Sequence, residues 1–213
     1  MATINLDRRA EIGREKRAKT RTMLINSAIA VVSLRGFDAP TIDDFISAAG
    51  VARGTFYNYF ETKSALLAAM AGQVADSVDS EILPLFEGID DPARRIAIAI
   101  RQFIRISQRE PDWGRILVRA LPDVAGGWSD DMRRGVLQDI RRGKKLGQFH
   151  YDSIQAALAL SIGSLSGAIH TALVEELKPG FAEAVAAMTL QALGMPAETA
   201  RQIARLPLPQ SAT

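Results

Sequence analysis

One short segment, residues 41–63, constrains the fold more than any other part of the chain: TIDDFISAAGVARGTFYNYFETK. Thr41 stands three residues before Asp44, which is the spacing of a capping box, so we expect a helix to begin there. Gly50 then ends this helix, because glycine accepts the left-handed conformation that a C-terminal turn needs. A second apolar pattern follows from about Ala52, so the segment predicts two short helices joined by a tight turn.

The second of these helices combines an apolar face with an open polar face. Phe56 and Phe60 lie four residues apart and can share one buried side of a helix. The open side, or positions beside it, then carries a row of polar residues: Arg53, Thr55, Tyr57, Asn58 and Tyr59. This arrangement is typical of a helix-turn-helix, whose second helix lies in the major groove of DNA. The segment therefore indicates a nucleic-acid partner.

Two cations in this segment occupy positions that are unfavourable for a helix alone. Arg53 and Lys63 both fall in the first turn of an expected helix, where the helix dipole disfavours a positive charge by about 0.3–1 kcal/mol. A phosphate bound at a helix N-terminus would offset this cost, whereas the alternative is two ordinary surface cations. Arg53 can read guanine or hold a phosphate, and Asn58 can read adenine or contact the backbone. The sequence leaves both choices open.

The distribution of charge agrees with a partner at this end of the chain. Residues 1–66 hold ten Lys and Arg against seven Asp and Glu, a net charge of +3, whereas residues 67–213 hold sixteen against seventeen, a net charge of −1. Much of the excess lies in one N-terminal group: Arg8, Arg9, Arg14, Lys16, Arg17, Lys19 and Arg21. This basic arm could follow the phosphate backbone, enter a minor groove, or be a solvated tail.

The composition excludes several classes of site. The 213 residues include no cysteine, so disulfides, thiolate zinc sites and cysteine nucleophiles are excluded. The chain has two histidines and no group of residues with metal-ligand spacing, so we expect neither a metal nor a cofactor. The N-terminal residues lack the apolar core of a signal peptide, so we expect a cytoplasmic protein.

The remaining chain shows helical periodicity throughout. Apolar residues recur at three- and four-residue steps, and no segment shows the alternation of a strand, so we predict an all-α fold. The first helix is expected from about Thr20 to Arg35. The pattern predicts a basic N-terminal arm at residues 1–19, a three-helix helix-turn-helix domain at 20–66, a second helical domain at 67–196 and a C-terminal tail at 197–213.

A longer string of residues around the helix-turn-helix is more specific than the motif itself. It comprises Gly36-Phe37, Thr41-Ile42, Ile46, Ala49-Gly50-Val51, Gly54-Thr55-Phe56-Tyr57, Tyr59-Phe60, Lys63 and Leu66-Leu67. In these residues, which cover about positions 20–70, the chain resembles the TetR family of bacterial transcriptional regulators. The resemblance implies a homodimer with an N-terminal DNA-binding domain and a C-terminal helical domain, which binds a small-molecule effector and forms the dimer.

The resemblance also implies roles for single residues. Thr41 and Lys63 would hold phosphates of double-stranded operator DNA. A second group would face the major groove or the backbone beside it: Arg53, Gly54, Thr55, Tyr57, Asn58 and Tyr59. One position departs from the family pattern, because Ala52 stands where the family usually has Ser or Thr. The loss of such an N-cap to Ala typically costs about 1 kcal/mol.

Nineteen residues, 156–174, carry no charge. They belong to a helix that we expect to run from an Asp152–Gln155 capping box to Lys178. The stretch is near transmembrane length, but its Ser, Thr and His residues make it a poor span, so we predict no membrane insertion. In a four-helix dimer interface, small residues would instead let the backbones approach closely. The resemblance implies that this helix and the last major helix, expected at residues 181–193, form the dimer. The expected interface residues are Leu160, Gly163, Ser164, Gly167, Val185 and Met188.

A ligand cavity is expected among the helices between residues 62 and 174. Its candidate walls are Phe103, Trp113, Leu117, Trp128, Met132 and His170. Each of them could instead be ordinary core, and His170 in particular fits a hydrogen-bonded core histidine.

The function that these features predict is a ligand-responsive transcriptional regulator, and specifically a repressor that binds a palindromic operator as a homodimer. An enzyme is the first alternative, with a site near His170 and the adjacent Glu175-Glu176. The second alternative is a sequence-independent DNA-binding protein, whose affinity would fall steeply with salt and would differ little between sequences.

Overall fold

A computed structural model describes residues 2–120 and 130–209, and the described residues form helices without any strand. This confirms the all-α prediction. The helices are α1 (Ala2–Arg35), α2 (Ile42–Ala49), α3 (Arg53–Tyr57), α4 (Lys63–Ile82), α5 (Pro92–Arg109), α6 (Pro111–Ala120), α7 (Asp130–Lys145), α8 (Ile154–Val174), α9 (Phe181–Ala192) and α10 (Ala197–Arg205), with a 3₁₀ turn at Leu83–Phe86. The chain divides into two compact units, residues 1–73 and 74–213.

The first unit is built on the inner side of α1. Leu24, Ala28 and Val32 of this helix are buried, and α1 packs against α2, whose Phe45 is fully buried. The predicted start of α1 at about Thr20 is wrong, because the helix is continuous from Ala2. The basic arm is therefore helical in the residues that the structure describes.

The second unit is organised around α5, which packs against α6, α7, α8, α9 and α10. Asp91 caps this helix as expected, since its carboxylate accepts a hydrogen bond from the Ala93 amide at 3.0 Å, and Pro92 occupies the first turn. Ile96, Ile100 and Ile104 then contribute to a core shared with the later helices.

The C-terminal helix belongs to this core, although the sequence pattern indicates a tail from residue 197. Ala200 and Ala204 of α10 are fully buried. The guanidinium of Arg101 on α5 donates to the Leu206 carbonyl at 2.6 Å and to the carboxylate of Glu183 on α9 at 2.8 Å. These bonds hold the end of α10 against α5 and α9.

The ends of α8 differ from the prediction by a few residues. Ser153, and not Asp152, is the N-cap, because its hydroxyl accepts the hydrogen bond from the Ala156 amide at 3.2 Å. The helix ends at Val174 rather than Lys178.

Before α8, the His150 amide donates to the Leu193 carbonyl at 2.8 Å, which ties the α7–α8 turn to the end of α9. Gly194 follows Leu193 with a φ of 92°. A Cβ at this position would lie 2.3 Å from the His150 carbonyl oxygen, so the close approach of the two backbones requires glycine.

Candidate nucleic-acid interface

The start of α2 has the predicted capping box. The Thr41 amide donates to Asp44 Oδ2 at 2.7 Å, and the Thr41 hydroxyl accepts from the Asp44 amide at 3.4 Å. The backbone hydrogen bond from Thr41 lowers the pKa of Asp44, and the Thr41 hydroxyl and the Arg35 guanidinium add to this effect. Arg35 forms an ion pair with Asp44. Thr41 is thus fixed in an exposed position at a helix N-terminus.

The turn between α2 and α3 forms at Gly50, as the sequence predicts. Gly50 has a φ of 63° and ψ of 32°, the left-handed conformation, and its amide donates to the Ile46 and Ser47 carbonyls. At the start of α3, Ala52 makes no side-chain capping bond. Phe56 and Phe60 are both buried, as predicted, with ring centroids 6.1 Å apart, but α3 ends at Tyr57, so Phe60 lies in the segment after this helix rather than on it.

The predicted polar face is accessible. Arg53, Gly54, Tyr57 and Asn58 are exposed, while Thr55 and Tyr59 are half-buried. Tyr57 is 44% exposed, and its ring lies nearly perpendicular to the Phe56 ring, with 5.4 Å between the ring centroids. A Cβ at Gly54 would meet no atom within 4 Å, so the packing of this chain does not itself require glycine there.

Arg53 lies where α2 and α3 meet. One guanidinium nitrogen is 2.8 Å from Asp43 Oδ1, and the guanidinium carbon is 6.0 Å from the centre of the Tyr57 ring. Both Arg53 and Asp43 are well exposed, so this ion pair contributes little to stability. It holds the cation near Tyr57, at the edge of the polar face.

Lys63 has a partner within the protein, which sequence reasoning missed. It is the first residue of α4, and its ammonium donates to the Asp38 carbonyl at 3.0 Å. The side chain is half-buried, and this bond attaches the start of α4 to the turn that precedes α2. The contact joins residues 25 positions apart, so no local pattern could have revealed it.

In the second unit, α8 has one buried face and one open face. Leu160, Gly163 and Gly167 are exposed, and Ser164 is half-buried. On the neighbouring α9, Val185 is half-buried and Met188 is 69% exposed. Within the described residues, α8 is the helix that is long and apolar enough to cross a membrane. In the single chain, 28% of its most apolar 18-residue stretch is buried. The expected interface residues are therefore exposed or half-buried in the single chain, and Leu160 and Met188 among them expose apolar side chains.

The second unit also contains a small apolar cavity of about 30 Å³ between α5, α7 and α8. Its lining residues are Ile96, Ala99, Ile100, Phe103, Val136, Ile140, Ser161, Ile162 and Leu165. Among these described residues Ser161 is the polar one, and its hydroxyl donates to the Ala157 carbonyl at 2.8 Å. Neither a cation nor a carboxylate is among the described lining residues, so the cavity suits an uncharged molecule.

Of the six predicted wall residues, the structure brings Phe103 to this cavity. Leu117 and Met132 are buried away from its lining, and Trp113 is half-buried. His170 is exposed on α8, so its interpretation as a core histidine is wrong. Trp128 lies outside the described residues. Within the described residues, no group of three His, Asp or Glu side chains could hold a metal ion.

Comparison with known proteins identifies this architecture. Residues 24–70 match the family model of bacterial regulatory proteins of the tetR family, and residues 91–206, more than half of the chain, match the tetracyclin repressor-like C-terminal domain. The chain belongs to the TetR family of transcriptional regulators. TetR-family proteins are DNA-binding regulators of the repressor type and are not enzymes, which excludes the alternative of an enzyme site near His170.

Among solved structures, the chain is similar to RolR in complex with the ligand resorcinol. The identity is 31%, the TM-score is 0.71, and the match covers 93% of this chain and 99% of that one. Among curated proteins, it is 34% identical to the HTH-type regulator YvdT of Bacillus subtilis, over 42% of this chain and 46% of that protein. It is 26% identical to the repressor KstR of Mycolicibacterium smegmatis, over 52% of this chain. The chain spans about half the length of each of these two curated relatives.

Proposed function

We propose that this TetR-family regulator is a cytoplasmic homodimeric repressor, which binds a palindromic operator and releases it when a small-molecule effector binds. The DNA-binding half of this proposal rests on the accessible polar side chains of α3 and of the turn that follows it, beside the buried Phe56 and Phe60. Thr41 and Lys63 flank that face at the N-termini of α2 and α4 and are assigned to phosphates.

The open surface of α8 and α9 supports the dimer. Exposed Leu160 and Met188 leave apolar area in water that association would remove. Gly163 and Gly167 have no neighbour within 4 Å of an added Cβ, so the single chain has room there for larger side chains. Small residues on such a face allow two helices to approach closely. A two-fold axis through this surface would pair the α8 and α9 helices of two chains.

The cavity supports a small, uncharged, aromatic effector, the chemical class of the resorcinol that RolR holds. The present volume of about 30 Å³ is room for little more than water, whereas an apolar cavity that admits benzene is of order 150 Å³. Binding therefore requires α5, α7 and α8 to move apart. An effector that prefers this expanded state shifts the population of dimers, and a coupling of about 1–3 kcal/mol is enough to release DNA.

Resorcinol is the probe for this proposal, and Ala99→Leu is the variant. Ala99 lines the cavity, so three added carbon atoms should fill its free volume. We expect resorcinol to release operator DNA from the wild type, measured by fluorescence anisotropy, and to act at least about tenfold more weakly on Ala99→Leu. Operator affinity without resorcinol should not change.

The matched control is Ala197→Leu, which adds the same atoms at an exposed position of α10. It should respond to resorcinol as the wild type does. Release that is equally strong in Ala99→Leu would place the effector outside this cavity. A wild type that holds its operator at every resorcinol concentration would contradict the proposed effector class.

A further inference from the structure

The N-terminal part of α1 is a helix that packs against almost nothing. Residues 11–19 are all exposed, whereas Leu24 and Ile25, one turn further on, are fully buried. An isolated helix of this length is marginal in water, because most helical stability in proteins comes from packing of an apolar face. A partner that contacts residues 11–19 would therefore stabilise them.

The charges on this helical segment are divided between two sides. With 100° between successive residues, Lys16 and Arg17 lie on one side of the helix, and Arg14 and Arg21 lie next to Arg17 on the adjoining side. Glu11 and Glu15, one turn apart, fall on the opposite side. We call the side with Lys16 and Arg17 the cationic face.

The cationic face adjoins the polar face of α3. An open groove of about 430 Å³ is lined by Lys16 and Arg17 on one side and by Thr55, Asn58 and Tyr59 on the other. The Arg17 guanidinium donates to the Asn58 carbonyl at 3.4 Å and lies 5.7 Å from the centre of the Tyr59 ring. The two surfaces are therefore continuous within the first unit.

We propose that the cationic face of α1 binds phosphates of the operator duplex next to the groove that α3 enters. The proposal rests on the proposed function, since it needs operator DNA against α3. Duplex DNA fits because it offers a row of negative charges beside the recognition helix, and because each Lys or Arg that neutralises a phosphate releases counterions. The same contact would stabilise the exposed helical segment. This assigns the basic arm to the phosphate backbone rather than to a minor groove or a solvated tail.

Two double variants separate this contact from a general effect of charge. Lys16→Gln/Arg17→Gln removes two positive charges from the cationic face, and Arg8→Gln/Lys19→Gln removes two from the side of the same helix that carries Glu15. Arg8 and Lys19 are both exposed, and Lys19 lines a separate groove with Ala18 and Met23. The full-length protein is used throughout, and operator affinity is measured at several salt concentrations.

We expect the cationic-face pair to reduce the slope of log K against log [salt] by about 1.8 per protomer, since each phosphate contact contributes about 0.9. The opposite-side pair should change the slope by less than half of that. Equal effects of the two pairs, or no effect of either, on a wild type that recognises its operator would overturn this proposal alone. A wild type that prefers no DNA sequence would instead overturn the proposed function.

Discussion

Replacing Met188 with Glu should convert the protein from a dimer, of twice the chain mass of 23.1 kDa, to a monomer. Met188 is 69% exposed in the single chain and lies in the surface proposed to form the dimer. In a two-fold interface the substitution occurs twice, and each unpaired buried carboxylate costs several kcal/mol. The monomer presents one recognition helix instead of two, so operator affinity should fall by at least about 100-fold, or roughly 3 kcal/mol. Sedimentation or light scattering measures the mass.

A matched control and a second variant make this test specific. Leu146→Glu places the same charge on another apolar residue, 58% exposed in the turn after α7, and should leave the dimer intact. Gly163→Leu adds a side chain where the single chain has open space, so helicity should persist while the dimer dissociates. If Met188→Glu and Gly163→Leu both keep the dimer mass, the α8–α9 surface is not the interface.

Tyr57→Ala and Lys63→Ala should each weaken operator binding by about tenfold, or roughly 1.4 kcal/mol, with the dimer mass and helicity preserved. The Tyr57 phenol is exposed beside Arg53 and can donate to a phosphate. Lys63 sits at the N-terminus of α4, where its cation and the helix amides can hold an anion together. Its bond to the Asp38 carbonyl would also be lost, so Lys63→Ala should cost about 1 kcal/mol of stability as well. Anisotropy and circular dichroism measure the two effects.

Lys178→Ala is the control for these variants, because it removes an exposed cation from the second unit. It should leave operator affinity nearly unchanged. Should Tyr57→Ala and Lys63→Ala both fail to fold, these side chains belong to the core of the first unit rather than to its contact surface.

The helix-turn-helix could be predicted from sequence because its determinants are local. Thr41 and Asp44 are three residues apart, Gly50 needs only its own backbone freedom, and Phe56 and Phe60 are one helical turn apart. Each of these rules acts within a single turn of chain, so no knowledge of tertiary packing is required.

The features that the sequence did not predict depend on tertiary packing or on the absence of such packing. The helical extension of α1 has no apolar stripe, so periodicity could not mark its start, which lies far before Thr20. His170 fits a core histidine by sequence, but it is exposed because α8 has an open face of its own. The cavity lining depends on how α5, α7 and α8 approach one another, and of the predicted walls it includes Phe103.

Sequence-specific operator binding is tested most directly by a competition between DNA sequences at moderate salt. Palindromic fragments from the neighbourhood of the gene are compared with scrambled duplexes of equal length and composition. We expect a dimer to bind one palindrome at least about 1,000-fold more tightly than its scrambled version, which is the lower end of specific recognition. Equal affinity for both duplexes, falling steeply with salt, would contradict it and favour a sequence-independent DNA-binding protein.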